Sequence, residues 1–373
     1  MRRSASERRT SPWGDLRRRR AILHALPKTD LHVHLDGSLR PATLLELARE
    51  RRVRLPFRAL PELTEAFARL ASGVSLTEYL KAFDWTCAVL QDAAALERVA
   101  FELAEDAHRE RVRYMEVRYC PALHLKRRMT MEETVEAVRK GLRRAERRYG
   151  IRTGTIICGI RHLSPRLSMR LARVAVAYHG RGVVGFDLAG AERDYPAKAH
   201  RRAFDHVLKH HVNVTVHAGE AFGPQSIDQA LRHCGAHRIG HGTRLGESRA
   251  VLEYVNDHRI PLEMCLTSNV QTGAVRRLRT HPFRRYLDLG LRVTLNTDNR
   301  LVSSTTMTDE LDRAVEAFAL TPADVRNVLI NGFKSAFLPF REKGALLRRA
   351  VVAMDRTLER ARTTAREPSR DLL

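Results

Sequence analysis

No stretch of this sequence approaches the roughly 20 consecutive apolar residues that a membrane helix needs, and the basic N-terminus lacks the apolar core of a secretory signal. No membrane contact is therefore expected, and the expected compartment is the cytoplasm. Cysteine is scarce: Cys87, Cys120, Cys158, Cys234 and Cys265 are odd in number, far apart and never arranged as Cys-x-x-Cys. That excludes zinc-finger spacing and a disulfide framework, and fits a reducing environment. Acidic residues are in the minority, 43 against 66 Lys and Arg, for a formal charge of +23. The surplus arginine is spread along the chain without aromatic interleaving or an RNA-binding signature, so solvated and partly paired helix faces are expected, and no nucleic-acid partner. A hydrophobic content of 43% is enough for a substantial core.

Residues 1 to 20, rich in charge and broken by Ser, Pro and Gly, have the composition of a disordered basic tail, and residues 363–373 of a frayed one. Between them, residues 21–362 are expected to form one domain. Eight short β-branched and apolar runs recur: TDLHVHL (29–35), VRYMEVRY (112–119), TGTIICGI (153–160), VVGFDLAG (183–190), NVTVHAGE (213–220), HRIGHG (237–242), IPLEMCL (260–266) and RVTLNTD (292–298). Each is followed by a stretch of helical period. Near-continuous apolar runs suit strands buried on both faces, and intervening helices supply the crossovers that parallel pairing requires. Eight such units predict an α/β fold, a closed (β/α)8 TIM barrel, with a doubly wound open sheet as the alternative.

Helix starts are marked by capping boxes at Ser75 to Glu78 and Thr130 to Glu133, and by Thr321 ahead of Pro322. The longest connection, Gly37 to Arg111, follows the first strand as a helical insertion. Its Leu76, Tyr79, Leu80 and Phe83 share a helix face and are placed to form a lid over the barrel mouth.

Polar, metal-capable residues gather at the C-terminal strand ends, where barrel active sites form. His32 and His34 alternate with Val33, so both imidazoles leave the strand on one face. His217 ends the fifth run with Glu220 three residues on, His241 ends the sixth, and Asp298 closes the eighth. Three histidines and a carboxylate form the nitrogen and oxygen donor set of a catalytic zinc with one position left for water.

The segments LPKTDLHVHLDGSL, EVRYCP, DLAG, VHAGE, RIGHG, TSNVQTG and NTDN, in this order from Leu26 to Pro339, resemble the adenosine deaminase family of amidohydrolase barrels. The resemblance implies one zinc ion per chain, held by His32, His34, His217 and Asp298. It implies catalytic roles for Glu220 as acid to ring nitrogen 1, for His241 at the developing alkoxide and for Asp298 in orienting the water. It further implies a small purine nucleoside as substrate, with Asp36 on the ribose, Gly190 giving a backbone donor to ring nitrogen 3, and Asn299 at ring nitrogen 7. The expected reaction is hydrolytic removal of the 6-amino group, giving inosine and ammonia.

The chain departs from the family pattern at Asn299, where a second Asp is common, at Arg300 in place of Pro, and at Leu266 after Cys265. An amide can still donate to ring nitrogen 7, and Leu266 is expected to change loop shape more than chemistry. Related substrates remain open: adenine, aminodeoxyfutalosine or an N6-modified nucleotide. So do a metal-dependent nuclease barrel and a basic nucleic-acid-binding protein. Oligomeric state is not readable.

Overall fold

The structure is a computed structural model that describes residues 12–70 and 75–364 of the 373. Its eight strands are β1 (Lys28–His34), β2 (Val112–Tyr119), β3 (Arg152–Ile160), β4 (Val183–Ala189), β5 (Asn213–Ala218), β6 (Arg238–His241), β7 (Leu262–Met264) and β8 (Val293–Leu295). They pair in sequence order, every pair parallel. The ends of the sheet meet at a bridge between Val33 and Asp298. There the His34 N–H donates to the Asp298 carbonyl at 2.7 Å, and the Asp298 N–H to the His32 carbonyl at 2.8 Å. The architecture is a (β/α)8 barrel, with every run read from the sequence present as a strand.

Period two explains both the burial and the unusual interior. Along β1, Leu31 and Val33 alternate with Asp30, His32 and His34; along β2, Met115 and Val117 alternate with Glu116 and Arg118. The apolar set packs under the outer helices and the polar set shares the opposite face. Glu116, Arg118, Asp187, Arg238 and Glu263 are all almost fully buried, which is possible because they pair with one another. Arg118 bridges Asp187 and Glu263, each at 2.8 Å, while Arg238 bridges Glu263 and Glu116. The barrel interior is thus a charged network, topped by the histidines.

Three expectations are corrected or refined. Residues 12–20 are not a tail: Trp13 is buried with its indole N–H on the Leu320 carbonyl at 2.7 Å, and Asp15 caps a helix over Leu16–Ala25. Arg19 and Arg20 pair with Asp312 on the helix Met307–Phe318, so an acidic neighbour and one aromatic anchor supply what the local composition lacks. At the other end the helix Phe340–Thr364 continues past residue 362, the expected end of the domain. Leu266 opens the short helix Leu266–Gln271 rather than a loop. Residues 1–11 and 365–373 and the side chain of Glu78, with the expectations placed on them, lie outside the described residues. The other caps form as read: Thr130 with Glu133, and Thr321 with Asp324 ahead of Pro322 at the first helical turn.

The connection from β1 to β2 carries helices Pro41–Glu50, Leu60–Leu70, Leu76–Leu80, Ala82–Val89 and Ala93–Arg109. All five cysteines are free. Among the described residues no helix is long and apolar enough to cross a membrane.

Candidate active site

At the C-terminal rim of the barrel, four residues from β1, β5 and the segment after β8 bring donor atoms together. His34 Nε2 lies 3.2 Å from His217 Nε2 and 3.4 Å from Asp298 Oδ1, and His32 Nε2 lies 3.5 Å from the same oxygen. Ligands about 2.0–2.1 Å from one tetrahedral ion stand about 3.3–3.4 Å apart, so these three separations suit a shared divalent cation, while the set of donors that all lie within 4.8 Å of one another holds His32, His217 and Asp298 with His241 in place of His34. Gly240 allows the crowding: a Cβ there would stand 3.1 Å from both the His217 Cα and the His32 ring.

Two of the histidines are held from behind. His32 Nδ1–H donates to Glu263 Oε2 at 2.9 Å, and His217 Nδ1–H to Asp187 at 3.0 Å. Each bond fixes the tautomer with the Nε2 lone pair facing the cluster. His32 Nε2 is buried without a hydrogen-bond partner among the described residues, the state expected of an atom meant for a metal. Burial pushes the His32 imidazole down to about 4, keeping it neutral. Burial opposes the charge on Asp298 too, yet His32 and the surrounding imidazoles hold its carboxyl well below the usual range. Asp187→Asn should weaken divalent-cation binding about 10–100-fold, the usual cost of losing such a backing group. Competition against a chromophoric chelator reads this directly, and unchanged affinity would count against the tautomer argument.

His241 also stands near the cluster: one donor atom from each of His32, His217, His241 and Asp298 lies within 4.8 Å of the others. Its tautomer distinguishes it from His32 and His217. His281 Nε2–H donates to Asn269 Oδ1 at 3.1 Å, and the Asn269 amide donates to His241 Nδ1 at 3.0 Å. A neutral His241 therefore carries its proton on Nε2, which faces Glu220 Oε2 at 3.5 Å. It is a donor where His32 and His217 present lone pairs. His241 and Asp298 both hold left-handed backbone, φ 62° and 60°, a strained arrangement that turns their side chains onto the rim.

Glu220 is buried, accepts from the Thr272 hydroxyl at 3.0 Å, and is pushed up by burial against the opposing pull of His241. Its loop is held by Glu192, which the sequence reading did not single out. The Glu192 carboxylate accepts four backbone N–H groups, from Gly219 (2.6 Å), Glu220 (2.9 Å), Ala221 (2.6 Å) and Phe222 (3.0 Å).

A cavity of about 40 Å³ touches His34, His217, Glu220, His241 and Asp298. Gly190 and Asn299 line it, and Leu76, Tyr79, Leu80 and Phe83 roof it from helices Leu76–Leu80 and Ala82–Val89. Tyr79 ties the roof down through Ser303 Oγ (2.7 Å) and the Asn299 amide (3.1 Å). Asp36 is not in the cavity wall. It is buried against Cys87 and His124, each 3.8 Å away, and burial pushes its carboxyl up to about 7. Arg300 turns away from the cavity to pair with Asp30 (3.3 Å) and Glu110.

The adenosine deaminase family profile matches residues 27–353. Adenosine deaminase 1 of Streptomyces coelicolor is 45% identical over 343 residues, spanning 86% of this chain and 85% of that protein. Among solved structures, the adenine deaminase of Arthrobacter aurescens superposes with a TM-score of 0.83 at 25% identity, covering 88% of this chain and 99% of the other. The Arabidopsis ADAL protein complexed with IMP gives 0.81 at 27% identity, covering 90% and 99%. The profile match over most of the chain, together with identity at this level, places the chain in the adenosine deaminase family.

Proposed function

We propose that this chain hydrolyses the 6-amino group of adenosine or 2'-deoxyadenosine, releasing ammonia and the 6-oxo nucleoside, with one zinc ion held by His32, His34, His217 and Asp298. The observation that carries the reading is the pairing, at one buried rim, of that donor set with a second carboxyl inclined to keep its proton, Glu220, and an N–H donor, His241. Nitrogen and oxygen ligands without thiolate suit zinc. When bound, the ion supplies Lewis acidity that lowers the pKa of water toward about 7.

The side chains divide the remaining work. Asp298 accepts a hydrogen bond from the attacking water and aims its oxygen at carbon 6. Glu220 gives its proton to ring nitrogen 1, so the ring accepts the oxygen without placing bare negative charge on nitrogen. His241 Nε2–H stabilises the oxygen that becomes negative on carbon 6. One proton of the water passes through Asp298 to the 6-amino group, the bond from carbon 6 to that nitrogen breaks and ammonia leaves, and the second proton of the water returns to Glu220 as the 6-oxo group forms. Gly190, with φ 93°, brings its backbone N–H toward ring nitrogen 3, and Asn299 donates to ring nitrogen 7 by exchanging its bond to Tyr79. Asp36 Oδ1, buried without a partner among the described residues, takes a ribose hydroxyl. A cavity of about 40 Å³ is far below the roughly 300 Å³ of an ordinary ligand site, so the Leu76–Leu80 and Ala82–Val89 roof must swing out to admit a nucleoside. The free cysteines fit a cytoplasmic setting.

When ionised, Asp36 beside the ribose would repel a phosphorylated substrate. Ammonia release from adenosine, 2'-deoxyadenosine, adenine, AMP and aminodeoxyfutalosine, measured side by side, tests the choice. The two nucleosides should lead by at least about tenfold in kcat/KM, the discrimination one lost buried polar contact supplies. Equal or greater turnover of free adenine or AMP would overturn it. Glu192→Gln should lower kcat about tenfold through misplacement of Glu220, with zinc content unchanged by metal analysis.

A further inference from the structure

Outside the rim cluster, the described residues bring one other set of metal-capable atoms together: Asp36, Cys87 and His124, with one donor from each inside 4.8 Å of the other two. They come from three separate elements, namely the turn after β1, the roof helix Ala82–Val89 and the 3-10 turn Pro121–His124. Cys87 Sγ and His124 Nε2 each lie 3.8 Å from Asp36 Oδ2. Donors bound to one zinc at about 2.0–2.3 Å stand about 3.3–3.6 Å apart, so both contacts to Asp36 are within a few tenths of an ångström of that spacing, with Cys87 and His124 inside 4.8 Å of each other.

Two of these side chains lack the partners that burial demands. His124 and Asp36 are 0% and 3% exposed, and neither His124 Nε2 nor Asp36 Oδ1 has a hydrogen-bond partner among the described residues. His124 Nδ1–H donates to the Leu90 carbonyl at 2.9 Å, leaving the Nε2 lone pair directed at Asp36. That is the arrangement that prepares His32 and His217 at the rim. No Arg or Lys among the described residues pairs with Asp36, so its buried carboxylate has nothing to offset the charge. Cys87 is partly exposed, which leaves the set reachable.

We propose that Asp36, Cys87 and His124 form a second cation site, distinct from the rim centre, that takes a borderline-soft divalent ion such as Zn2+ or Co2+ with water as the fourth ligand. Binding replaces the Cys87 S–H bond with a sulfur–metal bond and releases the proton to solvent. The loaded site clamps the roof helix that carries Phe83 to the body of the barrel. It shares no ligand with the rim centre. Its one link to the proposed reaction is Asp36, whose second oxygen is left for a ribose hydroxyl.

The rim donors contain no sulfur, so cobalt separates the two sites. With the rim loaded with zinc, titrating the full-length chain with Co2+ should produce a near-ultraviolet thiolate-to-cobalt charge-transfer band that saturates at one equivalent. Cys87→Ser should abolish the band, and His124→Gln should weaken cobalt binding at least about tenfold. Both variants should keep the wild-type unfolding midpoint in the absence of added cobalt, and if one does not fold, the other still decides. No band in the wild type would overturn the proposal, as would a band that survives Cys87→Ser. So would His124→Gln raising KM for adenosine while cobalt binding stays unchanged, since the set would then be a contact for a substrate hydroxyl.

Discussion

Glu220→Gln is expected to keep the metal at the wild-type level and to lower kcat for adenosine about 10²–10⁴-fold, the span that a positioned acid contributes. The side chains are nearly isosteric, and the Thr272 hydroxyl can still donate to the amide oxygen as it does to Glu220 Oε1. What the amide cannot do is give up a proton to a ring nitrogen. Burial raises Glu220, so the acid form persists to higher pH than in an exposed glutamate. Turnover that needs the acid form is present below that raised pKa and is lost as pH rises through it. The alkaline fall in kcat assigned to Glu220 should therefore be missing from the residual activity of the variant. Metal analysis, steady-state kinetics and a pH profile check the three parts, and near-normal turnover would remove Glu220 from the mechanism.

His217→Ala should act on the other half of the site, reducing bound metal to well under one ion per chain and abolishing ammonia release. It deletes one donor of the rim set, and it also removes one of the two partners, His217 and Arg118, that despite burial hold the Asp187 carboxyl well below its usual range. Losing a backing group costs about 10–100-fold in metal affinity, and losing a ligand costs at least as much. The contrast is diagnostic: Glu220→Gln separates metal from turnover, whereas His217→Ala loses both. A variant that kept stoichiometric zinc would show that the ion sits elsewhere, with His241 in the donor set as one arrangement that distance alone permits.

Much of this was legible in the sequence because period two carries both strand and site. β2 has the bounds read for it, and His32 and His34 leave β1 on one face as their spacing requires. What escaped was pairing between strands. Glu116 and Arg118 stand two apart inside an apolar run, as do Asp187 and Glu263 among apolar neighbours in theirs, and a charge in a buried strand must find its opposite. That signal marks an internal network without saying which strands share it. Glu192 carries no sequence signature, because a carboxylate that caps a loop from a distance has no local pattern. Composition counts apolar residues and so predicts a tail over 12–20, whereas one Trp13 and two arginines facing Asp312 are enough to order the segment. Asp36, read as a ribose contact, stands outside the cavity wall with Cys87 and His124, a juxtaposition no spacing in the sequence suggests.

The most direct test of the central claim is ammonia release from adenosine by protein stripped of metal with a chelator and then titrated with zinc. The account predicts no turnover in the stripped protein and full recovery at one equivalent per chain, with no recovery in His217→Ala. Turnover that survives complete removal of metal would contradict it.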